Sequence, residues 1–165
     1  MKEDFVFHLF DKQLATFIEM MNKCPENQRK VVPNGFETNL HWHLGHVLTV
    51  TEYHVFGSID QALNLPKLYQ EMFTYSTKPA NWTKEPPSWE RLIAQLEELR
   101  NLIHTSLKTK LDTPVRNNIL KANNYRELLY ATSQHLATHT GVVTAMLQIL
   151  MTSFSKTQLT EKNKK

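Results

Sequence analysis

His135 and His139 stand four residues apart in the string Gln134-His135-Leu136-Ala137-Thr138-His139. On an α-helix that spacing puts both imidazoles on one face, about 40° apart. The same stripe carries Leu128, Ala131, Thr132, Val142 and Met146, so both rings point toward the expected core. A buried polar ring without a partner costs on the order of 1–3 kcal/mol. A shared divalent ion removes that cost, because two histidines at i and i+4 can chelate one metal. The neighbouring residues exclude two other kinds of site. No glutamate follows His135, so the protease motif with a built-in general base is absent. No Glu-x-x-His pair occurs anywhere in the chain, which removes the carboxylate-bridged di-iron bundle.

A third ligand is then expected from another helix, and it should again be histidine. The string Asn39-Leu40-His41-Trp42-His43-Leu44-Gly45-His46-Val47 offers the choices. His46 shares a helical face with Trp42, Thr49, Val50 and Tyr53, whereas His43 is rotated from it by about 60° and His41 by about 140°. His46 lies on the face with the larger apolar neighbours and is preferred, with His43 second. His8, His41, His54 and His104 read as surface or boundary residues. Cys24, beside Pro25 at a helix end, reads as structural, with no basic partner to activate it. Trp42 and Tyr53 either line the site or simply pack.

Four helices must position these groups. The first runs from about Asp4 to Asn22, with Phe7, Phe10, Leu14, Phe17, Ile18 and Met21 stepping by three or four residues. Pro25 stops it, lacking the amide hydrogen that would continue the ladder. The second runs from about Thr38 to Phe56, with Gly57 as C-terminal cap. The third opens at Ser88, an N-cap after Pro86-Pro87, and carries Trp89, Leu92, Ile93, Leu96, Leu99, Ile103 and Leu107. The fourth opens at Asn124, with Glu127 three residues on, and continues to about Thr152. Each apolar stripe needs a partner, which points to an all-α four-helix bundle. The connection 58–87 is long enough to cross over between helices 2 and 3 along the outside, with a short helix over Leu65 to Phe73. Long connections of this kind often form binding or lid elements.

Composition agrees with one soluble domain over residues 1–155, followed by a polar tail at 156–165. The chain has 165 residues, 41% apolar and 21% charged. Four glycines are too few for a many-stranded fold with frequent tight turns. A formal charge of +3 without a basic face gives no reason to expect nucleic-acid binding. The most apolar run, Val142 to Phe154, is too short to span a membrane. The single cysteine excludes an internal disulfide, and Met1-Lys2-Glu3-Asp4-Phe5 does not open a secretory signal, so a cytoplasmic location is expected.

Trp42-His43-Leu44-Gly45-His46, followed late in the chain by His135-x-x-x-His139-x-Gly141, resembles the DinB/YfiT-like superfamily. That superfamily includes metal-dependent hydrolases, bacillithiol transferases and the metal-binding domain of mycothiol-dependent maleylpyruvate isomerase. The resemblance implies a four-helix bundle whose metal is held by one histidine of the second helix and two of the fourth. Transferred by position, these are His46, His135 and His139. Many members carry Glu or His just before the first of the two late ligands, where this chain has Gln134.

Three neutral imidazoles leave at least one position open on a divalent ion, as catalytic sites do. Such an ion can polarise a substrate oxygen or hold a substrate thiol as thiolate. The resemblance therefore implies a low-molecular-weight-thiol S-transferase or a hydrolase acting on a small molecule. Nickel or zinc is the expected metal, with iron next, and a thiol cosubstrate and a homodimer are further expectations. The residues name no separate catalytic base. The alternative is a non-catalytic metal-binding or stress-response bundle stabilised by its ion.

Overall fold

The computed structural model describes residues 4–57 and 64–162. Residues 58–63 of the long connection and residues 163–165 of the expected tail lie outside them. The helices are α1 (Phe5–Asn22), α2 (Leu40–Phe56), α3 (Lys67–Phe73), α4 (Trp89–Leu107) and α5 (Tyr125–Lys162). No strand occurs among the described residues, only an isolated bridge between Pro114 and Asn124. In contact α1 meets α5 and α4, while α2 meets α5, α4 and the short α3. The four long helices thus close a ring, the expected all-α bundle, with α3 lying on α2 inside the connection.

The helix starts follow from local chemistry. Asp4 caps α1 by accepting from the Val6 amide at 3.1 Å, and Asn39 caps α2 by accepting from Trp42 at 2.8 Å. Ser88 accepts from Arg91 at 3.2 Å to open α4. Asn124 accepts from the Glu127 amide at 2.9 Å, while the Glu127 carboxylate reaches back to Asn123 rather than to Asn124. Gly57 caps the end of α2, donating to the Tyr53 carbonyl in an ordinary right-handed conformation. Helix α5 continues past Thr152 to Lys162, as no proline or glycine follows Gly141 to stop it.

The core is built from the predicted stripes. Phe7, Phe10, Leu14, Phe17 and Met21 of α1 are buried, as are Trp89, Leu92, Leu96, Leu99, Ile103 and Leu107 of α4. Each fully buried side chain of this size contributes on the order of 1.5–3 kcal/mol. Two polar ties fix the outer helices. Asp11 of α1 accepts from Arg100 and His104 of α4, and Arg126 of α5 bonds both Asp4 and Asp112.

Helix α2 behaves differently, since every residue except Tyr53 is buried. It is surrounded by three other helices and has no solvent face to give to polar side chains. This corrects the expectation for His41 and His54, which are 4% and 3% exposed rather than surface or boundary residues. His8 is exposed and His104 partly buried, as expected of them.

Candidate metal centre

The buried central helix forces an accounting of its four imidazoles. His41 spends its Nε2 on the Pro87 carbonyl at 2.8 Å and packs edge-on against Trp82 and Trp89. It faces away from the other three and belongs to the α2–α4 packing.

His46 is fully buried, and its Nδ1–H donates to the Phe73 carbonyl at 2.6 Å. That bond fixes the tautomer, leaving Nε2 as a bare lone pair. Trp42, one turn earlier, stacks on the ring at 4.5 Å and 15° and donates its own Nε1–H to Thr77. Gly45 makes the bond to Phe73 possible. A β-carbon at Gly45 would collide with the Phe73 ring, so only glycine lets α3 come this close to α2.

The Nε2 of His46 faces the Nε2 of His135 at 3.3 Å. Without a cation, one of the two must carry a proton to avoid opposing lone pairs. Two nitrogens bound to one tetrahedral ion at about 2.0–2.1 Å would themselves stand about 3.3 Å apart. His139 completes the group, its ring centroid 4.7 Å from that of His46 and 4.4 Å from that of His135. One ligand atom from each of His46, His135 and His139 lies within 4.8 Å of the others. The donor set therefore fits a divalent ion by chemistry and by spacing.

His43, the second choice for the third ligand, stands outside this group. Its Nδ1 pairs with Nδ1 of His139 at 3.0 Å, and its Nε2 pairs with the Thr38 hydroxyl at 3.0 Å. With Nε2 of His139 left for a metal, the Nδ1–H of His139 donates to His43, whose own Nε2–H donates to Thr38. Such outer partners orient a ligating imidazole and raise its basicity.

His135 has no such partner. Its Nδ1 is buried and unbonded, as is Nδ1 of His54, whose ring meets His135 edge-on at 5.3 Å. Gln134 is exposed and does not fill the role that a neighbouring Glu or His would take.

The electrostatics keep every ring neutral. Burial and the neighbouring imidazoles push His43 down to about 3 and His135 down to about 2. His54 and His139 are pushed down to about 4 by the same causes. Burial lowers His46 as well, against the opposing pull of the Phe73 carbonyl. At neutral pH all carry free lone pairs, which is the state that metal ligation requires.

Residues 9–143 match the model of the DinB superfamily. The chain belongs to the DinB superfamily. No curated protein matches it. The DinB match spans α1 through the histidine pair of α5, so it covers both halves of the site.

Several contributors were not legible in the sequence. The Phe73 carbonyl is a backbone group, and Tyr75 follows it in the long connection. Tyr75 is 59% exposed and sets its ring edge against His46 at 5.0 Å and His135 at 6.3 Å. The length of connection 58–87 was the one available signal, as long connections often form part of a site. Thr38 and His54 gave no signal. Cys24 is buried, which pushes its thiol up to about 11 and keeps it unreactive near neutral pH.

Proposed function

We propose that this DinB protein is a metal-dependent enzyme, a low-molecular-weight-thiol S-transferase or a hydrolase, with His46, His135 and His139 as the metal ligands. The observation that carries it is the number of converging ligands. Among the described residues three imidazoles converge and no fourth His, Cys or carboxylate belongs to the same set of mutually close ligand atoms, whereas structural zinc sites close with four protein ligands. A divalent ion held there would supply Lewis acidity, polarising a substrate oxygen or keeping a substrate thiol ionised.

The residues themselves divide the remaining work. Phe73 holds the His46 tautomer through its carbonyl, and His43 with Thr38 holds that of His139. Trp42 covers one side of His46, and Tyr75 stands at the exposed side of the cluster. The ring and hydrogen-bond contacts to the three imidazoles come from Trp42, His43, His54, Phe73 and Tyr75, none of them a carboxylate. A hydrolase ordinarily uses a positioned base, so this surrounding favours thiol transfer over hydrolysis. Nickel and zinc suit an all-imidazole set best, with iron next.

The test begins with elemental analysis of untagged protein beside a His135→Ala/His139→Ala variant. About one divalent ion per chain, absent from the variant, is the expected result. Thiol consumption against a small electrophile, and ester or amide cleavage, are then measured with the metal-loaded protein. Activity that disappears in His139→Ala while the helical content stays intact supports the enzyme. A site that binds metal and raises stability but turns over neither class of substrate would identify a non-catalytic metal-binding bundle instead.

A further inference from the structure

Three of the large apolar side chains left exposed by the fold converge on one place. Tyr53 of α2 is 46% exposed, Tyr75 of the long connection 59%, and Ile119 of the α4–α5 connection 57%. They rim a cavity of about 190 Å³ whose inner wall includes Val50 and Leu65. Exposed aromatic and branched side chains gathered from three separate segments are not explained by packing, since none of the three is needed to close the core.

Three of the polar residues that line the same cavity have turned their polar atoms elsewhere. Thr49 donates its hydroxyl to the Gly45 carbonyl at 2.8 Å, and Thr74 donates to Gln70 at 2.8 Å. The Glu52 carboxylate accepts from the backbone amides of Asn64 and Leu65 at 2.7 and 3.1 Å. What faces the cavity is therefore mainly hydrocarbon and ring surface. Its position ties it to the histidine cluster. Tyr75 is a wall of the cavity and also touches His46 and His135, while Thr49 and Val50 follow His46 by three and four residues on α2.

We infer that this cavity receives a small apolar group of the substrate, a single ring or a chain of about six carbons. The size follows from volume, since an apolar cavity of about 150 Å³ is enough to hold benzene. A concave, mostly apolar lining with few polar groups is what such a subsite requires. The inference rests on the metal-enzyme proposal for its meaning, because it names the part of the substrate held beside the metal. The cavity itself needs no metal to bind an apolar probe.

The experiment uses the full chain and toluene as probe, followed by amide chemical shifts in the metal-free and zinc-loaded protein. Saturable shifts centred on Val50, Tyr53, Leu65, Tyr75 and Ile119 are expected in both forms. Ile119→Trp, placed on the exposed rim where the fold tolerates a larger ring, should weaken toluene at least tenfold with an unchanged melting temperature. A series of n-alkanols should bind about fourfold tighter per added methylene up to hexanol and then level off. Toluene that fails to saturate, shifts centred elsewhere, or an Ile119→Trp variant that binds as well as the parent would overturn the inference. The two proposals fail separately. Toluene binding without zinc binding removes the metal enzyme and leaves the cavity, and zinc binding without toluene does the reverse.

Discussion

Nδ1 of His43 lies 3.0 Å from Nδ1 of His139, and the far nitrogen of His43 lies 3.0 Å from the Thr38 hydroxyl. A chain of three polar groups thus runs from His139 on α5 across the first turn of α2 to Thr38, just before that helix begins. Its direction is set by chemistry. If His139 offers Nε2 to a metal, its Nδ1 must carry the proton, and His43 is the group placed to accept it.

Replacing His43 with Leu removes that acceptor and leaves a buried N–H unpaired. Loss of such an outer partner ordinarily costs about 10–100-fold in metal affinity. Chelator competition on His43→Leu should show a loss in that range. His43→Gln keeps an acceptor for His139 and a donor for Thr38, and it should recover most of the affinity. Equal affinities for the parent and His43→Leu would mean that His139 is not oriented through His43.

The depressed pKa values make the metal-free protein sensitive to acid. An unfolded imidazole titrates near 6.5. Folded His54 and His139 titrate at about 4, His43 at about 3 and His135 at about 2. Between those limits the unfolded chain takes up protons that the folded chain refuses. Stability is therefore complete above pH 6.5 and is lost as pH falls toward 4 and below. The slope reaches about 1.4 kcal/mol per pH unit for each such histidine. Urea unfolding of metal-free protein from pH 7.5 to 4.5 should show this decline, and a His54→Leu/His43→Leu variant should show a shallower one. A flat profile would contradict the buried neutral cluster.

Much of this was legible because the signals were periodic. The stripes of α1 and α4 and the i, i+4 pair of α5 declare both helix and facing side, and Ser88 and Asn124 mark the starts of α4 and α5 by capping chemistry. Helix α2 was harder. It is buried on all sides, so its periodicity does not separate core from surface, and His41 and His54 could not be told from boundary residues. The orientation of His46 also depends on a tertiary contact. Phe73 comes from the long connection, and its carbonyl fixes which nitrogen of His46 stays free. No local pattern encodes a backbone carbonyl arriving from 27 residues away.

His54 is a liability for stability unless it serves His135. Its Nδ1 is buried without a partner, and a group in that state costs about 1–3 kcal/mol. His54→Leu replaces it with a side chain suited to the hydrocarbon around α2. The expected outcome is a gain of about 1 kcal/mol, which for a chain of this size raises Tm by about 2–4 °C. Metal affinity should be unchanged. A drop in affinity with the same rise in Tm would instead identify His54 as the outer partner of His135.

Gly45 offers the sharpest test of how the fold sets the site. A methyl group there would occupy the space of the Phe73 ring, and Phe73 is fully buried, so the ring cannot step aside into solvent. Gly45→Ala must push α3 away from α2. Overpacking of this kind costs about 1–3 kcal/mol, against the few tenths to 1 kcal/mol that alanine gains over glycine within a helix. The Phe73 carbonyl moves with the ring, lengthening its 2.6 Å bond to Nδ1 of His46 and freeing the other tautomer. Gly45→Ala should therefore lower both thermal stability and metal affinity. A second change, Phe73→Leu, shortens the side chain at the point of collision while keeping the carbonyl, and it should return part of both in the Gly45→Ala background. A double variant no better than Gly45→Ala in metal affinity would show that His46 is not held through Phe73.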